Sequence, residues 1–240
     1  MIRRLMRLLV ALSVRGFFEA GWESFRRGHP APKLLFAAAS LLLVYRLGAA
    51  GAAAVEAAAA ALMAASGELY WAASLEALLL IPAAWASLTS LALGAAGLHP
   101  ISAAEALAIM LRWHAAGLAI AYPAATINPV DVYNAASRLA GPEKAAAVLT
   151  AYRLLPHGLT CFREALEASS TKKGAPLHAA VAAATAAVLE EAAGVVEATA
   201  LRAKRPQVPV ERSSKWTAAE AAATLILLLL LVLGGARPCP

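Results

Sequence analysis

The chain has 240 residues, 61% of them hydrophobic and only 15% charged. Counting its 15 glycines with the apolar set raises that set to about two thirds, against about 45–50% for an average soluble domain counted the same way. This excludes a disordered chain and leaves too little polar surface to keep a soluble enzyme wet, so an integral membrane protein is expected. Two cysteines, Cys161 and Cys239, make neither a disulfide framework nor a CxxC metal knuckle.

The net charge of +6 is unevenly placed. Seven basic residues (Arg3, Arg4, Arg7, Arg15, Arg26, Arg27 and Lys33) lie in the first 33 positions, and eleven more lie between Arg138 and Lys215. Between these blocks only Arg46 and Arg112 interrupt a long apolar region. Cytoplasmic loops of membrane proteins carry such an excess of Lys and Arg, whereas a nucleic-acid groove would need basic residues without so much apolar sequence around them. No nucleic-acid partner is expected.

Residues 1–33 read as a cytoplasmic amphipathic segment: Ile2, Leu5, Leu8, Leu9 and Leu12 recur at helical spacing with arginines between them, as in a helix lying on a membrane surface. Arg15 follows the short apolar run at once with no small-residue cleavage site, which argues against a removable signal peptide. Leu34–Ser66 would be about 50 Å long as one helix, too long for a single upright span. Arg46, Gly48 and Gly51 near its middle predict a break into two short spans. Leu69–Leu98 contains a third span with a kink expected at Pro82, and Ala103–Thr126 is a fourth, carrying Glu105, Arg112 and His114. Ala218–Ala236 is the last. Two basic blocks on one side of a membrane require an even number of crossings between them, and four crossings over residues 34–127 satisfy that condition.

Residues 128–217 form a helical segment without a convincing span. Asn128 is a natural N-cap for a helix opened by Pro129, with Asp131 in its first turn. Gly141-Pro142 ends that helix, and a second runs from Glu143 through Arg163 toward Lys173, interrupted at Pro156. Gly174-Ala175-Pro176 is a stop, and a third helix extends from Leu177 to about Arg205. Leu177–Val188 is apolar, but the charges from Glu190 onward leave too little for a crossing, so an interfacial helix is expected. The class is therefore all-α: a polytopic membrane protein of about five spans, with a helical cytoplasmic domain inserted before the last.

The order of these elements resembles the transmembrane T component of energy-coupling factor transporters, the family that includes the CbiQ-type cobalt transport proteins. His29-Pro30-Ala31-Pro32-Lys33-Leu34-Leu35 is similar to the family's entry to the first span. Ile109-Met110-Leu111-Arg112 and Thr126-Ile127-Asn128-Pro129-Val130-Asp131 resemble its next two motifs, Ala140-Gly141-Pro142 a third, and Tyr152-Arg153-Leu154-Leu155-Pro156 a fourth. The family's paired Ala-Arg-Gly motifs, each ending a coupling helix, have their counterparts in Lys172-Lys173-Gly174 and Ala203-Lys204-Arg205. Lysine stands where arginine is expected in both, the second lacks its glycine, and Arg202 or Arg205 would carry the second contact.

The resemblance implies a non-catalytic subunit that receives two ABC-type ATPase subunits on these helix ends and reorients a membrane-embedded substrate-binding S component, for uptake of a metal ion such as cobalt or nickel, or of a vitamin. A cation at a helix C-terminus meets free carbonyls and suits an acidic groove on a partner, so the pair makes physical sense by itself. The chain carries no GxxxxGK[ST] phosphate loop. Plainer roles stand beside these: Lys172–Gly174 as a simple C-cap, Lys204 and Arg205 as a basic patch on anionic lipid, and Arg153 with Pro156 as a helix bend. Arg112 inside a span marks function, snorkels, or pairs with Glu105. Glu56 and Glu76 form a proton path or merely sit at packed interfaces. The histidines His29, His99, His114, His157 and His178 show no metal-ligand spacing and no HExxH is present, so neither a metal site nor a cofactor is expected. The competing classes are a self-contained secondary carrier, which would show polar groups at mid-membrane, and a membrane scaffold.

Overall fold

The computed structural model describes residues 2–19, 24–98, 100–171, 177–202 and 208–235. All regular structure among them is helical. The α-helices among the described residues are α1 (Ile2–Val14), α2 (Pro30–Leu47), α3 (Ala49–Ser66), α4 (Leu69–Ala95), α5 (Ala103–Thr126), α6 (Pro129–Ala140), α7 (Pro142–Thr171), α8 (Leu177–Arg202) and α9 (Ser214–Gly235). A π-helical turn at Arg15–Glu19 and a 3-10 turn at Phe25–Arg27 lie between α1 and α2. The protein is an all-α polytopic membrane protein: α2, α3, α4, α5 and α9 are each long and apolar enough to cross a bilayer.

The chain divides into two compact units. One comprises Arg15–Ile127 with Arg212–Pro240, the spans; the other comprises Met1–Val14 with Asn128–Glu211. The amphipathic N-terminal helix thus packs with the helical insert, against α7, while the residues just after it belong to the span bundle.

In the span unit, the expected break of Leu34–Ser66 falls at Gly48. Its φ of +60° and ψ of −127° are open to glycine and strained for other residues. The two 18-residue helices on either side are each about 27 Å long, just sufficient for a span. A Cβ at Gly51 would run into the Leu43 carbonyl, so glycine lets the two arms of this hairpin approach backbone to backbone. The buried positions of α3 (Gly51, Ala52, Val55, Ala59, Leu62 and Met63) follow helical spacing, a stripe that is small at Gly51, Ala52 and Ala59 and packs against α2 and α5. Helix α4 continues through Pro82. Ser102 and Glu105 form a capping box at the start of α5, the Ser102 hydroxyl accepting from the Glu105 N–H and the Glu105 carboxylate from the Ser102 N–H.

The start of α2, the end of α5 and the start of α9 meet at one end of this bundle. The Arg26 guanidinium donates to the carbonyl of Ala125, and Arg212 donates to that of Gly28. The Thr217 hydroxyl accepts from the His29 N–H, and Ser213 N–H donates to the Arg27 carbonyl. At the other end Gly234 of α9 lies against Leu47 of α2, so α2 and α9 run parallel. The chain therefore leaves the span unit at Ile127 and re-enters it at Arg212 on the same side as α2 begins. Four crossings from α2 to α5 require that arrangement.

In the second unit, Asn128 caps α6 by accepting from the Val130 N–H, with Pro129 buried at the first helical position. Helix α7 runs unbroken through Pro156 for 30 residues, where an interruption was expected. Helix α8 packs along it. Gly158 meets Val188, so the two are antiparallel. The Asn134 amide clamps the returning chain by donating to the carbonyl and accepting from the N–H of Val208.

Candidate functional site

Of the residues expected to engage ATPases, Arg202 is the last residue of α8 and the others follow α7 and α8 in the sequence. Helix α7 closes at Thr171 and α8 at Arg202. Lys172, Lys173, Gly174, Ala203, Lys204 and Arg205 lie outside the described residues. Helix α8 separates the two motifs by its own 26 residues, about 39 Å at ~1.5 Å per residue. Arg153 and Pro156 lie within α7, and the Thr160 hydroxyl donates to the Pro156 carbonyl. An apolar groove between the two helices is lined by Gly158, Phe162, Val181, Ala184, Val188 and Leu189.

The span unit carries three polar features on a background of alanine and leucine. The first is a knot where α2, α5 and α9 meet. Lys33 and Glu220 are both fully buried, with Nζ and Oε2 3.6 Å apart. Lys33 Nζ also donates to the carbonyls of Phe25 (2.5 Å) and Gly28 (3.2 Å), and the Tyr122 hydroxyl donates to Glu220 Oε1 at 2.9 Å. Phe25 fills the space above, with ring centroids 5.7 Å from Tyr122 and 4.8 Å from Trp216. Arg26, also fully buried, reaches the last turn of α5 through Ala125 O and the carbonyl of Phe17. Thr126 is buried beside this knot, its hydroxyl donating to the Tyr122 carbonyl. Two members of the first basic block, Arg26 and Lys33, are therefore interior bridges. Charge counting could not distinguish them from arginines lying on a membrane surface.

The second feature is Arg112. Its guanidinium lies against Gly48, where α2 ends and its last carbonyls carry partial negative charge. Glu105, the partner considered for it, is engaged in the capping box at Ser102.

The third was not legible in the sequence. His114 of α5 stands between two carboxylates, with Nδ1 2.7 Å from Glu56 Oε1 on α3 and Nε2 3.1 Å from Glu76 Oε2 on α4. The Glu76 carbonyl is 3.3 Å from Nε2. Each residue comes from a different helix, so no spacing along the chain announces the group. One further contact, Cys161 Sγ to His157 Nε2 at 3.2 Å, joins neighbours one turn apart on α7.

No protein-family model, curated protein or solved structure matches this chain. Its functional reading rests on the residues themselves.

Proposed function

We propose that this protein is the coupling T subunit of an energy-coupling factor-type uptake transporter in the plasma membrane. In this role α7 and α8 face the cytosol and dock two ABC-type ATPases. Their closure is passed through the spans to a substrate-binding S component that imports a metal ion such as cobalt or nickel, or a vitamin. The amino terminus is cytoplasmic, the carboxyl terminus is outside, and the subunit has no catalytic role of its own.

The observation that carries this reading is the antiparallel α7–α8 pair, inserted between four spans and a fifth, with a basic sequence following the C-terminus of each helix. Partial negative charge at each helix end favours a cation there, and about 39 Å of helix between them gives room for two separate partners. The antiparallel packing ties the two ends together, so displacement of one is felt at the other. Lysine offers each partner a point charge, which an acidic groove can take without bidentate geometry.

Co-purification tests the reading. Changing Lys173 and Lys204 together to glutamate should abolish recovery of nucleotide-binding subunits while leaving membrane insertion intact. Recovery at the wild-type level would show that these residues are not the docking points. A self-contained carrier is favoured by one observation, the polar triad of Glu56, His114 and Glu76 among the spans. On that reading the wild-type chain brings down no ATPase.

A further inference from the structure

Helices α3, α4 and α5 contain five acidic, basic or histidine side chains: Glu56, Glu76, Glu105, Arg112 and His114. Glu105 is spent at the helix start and Arg112 at Gly48. Arg112 and His114 are two residues apart, so their side chains leave α5 about 200° apart around its axis. The remaining three converge.

All three also lie away from the ends of their helices. Glu56 lies seven residues into α3 and Glu76 seven residues into α4. His114 is near the middle of the 24-residue α5. The triad therefore sits well inside the spans, where uncompensated charge is expensive.

Both ring nitrogens of His114 face carboxylate oxygens. A neutral imidazole has one N–H, so one nitrogen would present its lone pair to an oxygen lone pair unless a proton or a metal cation lies between them. An imidazolium supplies a proton to each side but leaves the group with net charge −1. A divalent cation with a neutral imidazole and two carboxylates sums to zero.

The side chains are 11% (His114), 22% (Glu56) and 32% (Glu76) exposed, so the group is not fully enclosed by the bundle and has room for a further ligand atom. One atom from each residue can be chosen so that all three lie within 4.8 Å of one another, the only such set of three potential ligands among the described residues. Tetrahedral zinc with bonds of about 2.0–2.1 Å holds its ligands ~3.3 Å apart, within reach of torsional adjustment of two glutamate side chains.

We propose that Glu56, Glu76 and His114 form a binding site for a divalent transition-metal cation of the Zn2+/Co2+ class, bridging α3, α4 and α5. One imidazole nitrogen and one oxygen from each carboxylate are the protein ligands, and an open position remains. The mixed nitrogen and oxygen donors suit this class better than Ca2+ or Mg2+, which take oxygen. The site stands on the span unit alone and holds whichever way the transport role is settled.

The test uses the full chain, free of any affinity tag, purified in detergent and reconstituted in nanodiscs. Co2+ is added and followed by visible absorption, with equilibrium dialysis for stoichiometry and Zn2+ as competitor. One Co2+ per chain with the intense d–d bands of tetrahedral coordination, displaced by Zn2+, is expected. His114→Ala should abolish it, and Glu56→Gln or Glu76→Gln, which keep side-chain volume, should weaken binding about 10–100-fold or more, the range that follows loss of a carboxylate even outside the coordination sphere. A His157→Ala/Cys161→Ser variant should bind as wild type. The proposal is overturned if folded wild-type chain binds no Co2+ at about 100 µM, a concentration far above that needed by a site worth about 8 kcal/mol. It is equally overturned if His114→Ala binds like wild type, or if the His157/Cys161 variant loses the metal.

Discussion

Replacing Lys33 by methionine probes the buried knot directly. The ammonium neutralises Glu220 across 3.6 Å and satisfies the carbonyls of Phe25 and Gly28, all without solvent. Its loss leaves a fully buried carboxylate whose remaining hydrogen bond comes from Tyr122. Removing one partner of a buried pair costs about 3–5 kcal/mol, because the survivor's charge is uncompensated. Adding Glu220→Gln removes that charge and keeps an acceptor for Tyr122; the Phe25 and Gly28 carbonyls keep donors in the Gly28 N–H and Arg212, so the residual cost is the lost Lys33 bonds with any imperfect repacking, about 1–3 kcal/mol. The double variant should therefore be more stable than Lys33→Met alone. Unfolding of the purified protein by sodium dodecyl sulfate, followed by fluorescence of Trp71 and Trp216 beside Phe25, measures each corner of the cycle. A Lys33→Met penalty below about 1 kcal/mol, or a double variant as unstable as the summed singles, would refute the reasoning.

Two glycines hold the α2–α3 hairpin. Gly48→Ala puts a side chain at φ +60° against the Arg112 guanidinium and should cost about 1–3 kcal/mol in the same assay. Gly51→Val forces α3 away from the Leu43 carbonyl and should lower the yield of monodisperse protein in detergent more than Ala53→Val, at an exposed position of the same helix. In the other unit, Gly158→Leu drives a side chain into Val188. Faster amide exchange of Val181–Leu189, with exchange in α9 unchanged, is the expected result.

The span boundaries were legible because their signals are local. Pro30 and Gly48 bracket α2, Gly48 and Gly67 bracket α3, and Ser102 with Glu105 starts α5. The parity of the crossings followed from charge placement, and the bundle meets it by bringing Arg26, Ala125, Arg212 and Gly28 to one end. Other features were hidden for physical reasons. Pro156 reads as a break because it lacks an N–H, yet α7 runs on through it, with α8 packed alongside at Gly158. Lys33 looks like any basic residue near a membrane entrance until Glu220, 187 positions later, is seen beside it. The Glu56–His114–Glu76 group has no sequence period because three separate helices supply it.

The central claim is that α7 and α8 transmit force from cytosolic partners to the spans, which requires both helices on the cytosolic side. A single cysteine at the exposed Glu164 position, Glu164→Cys in a Cys161→Ser/Cys239→Ser background, reports the side when treated with a membrane-impermeant maleimide. Labelling in inside-out vesicles, with none in right-side-out vesicles until they are permeabilised, is the predicted result. Labelling of intact right-side-out vesicles would place the helices beyond the reach of any cytosolic ATPase and contradict the account.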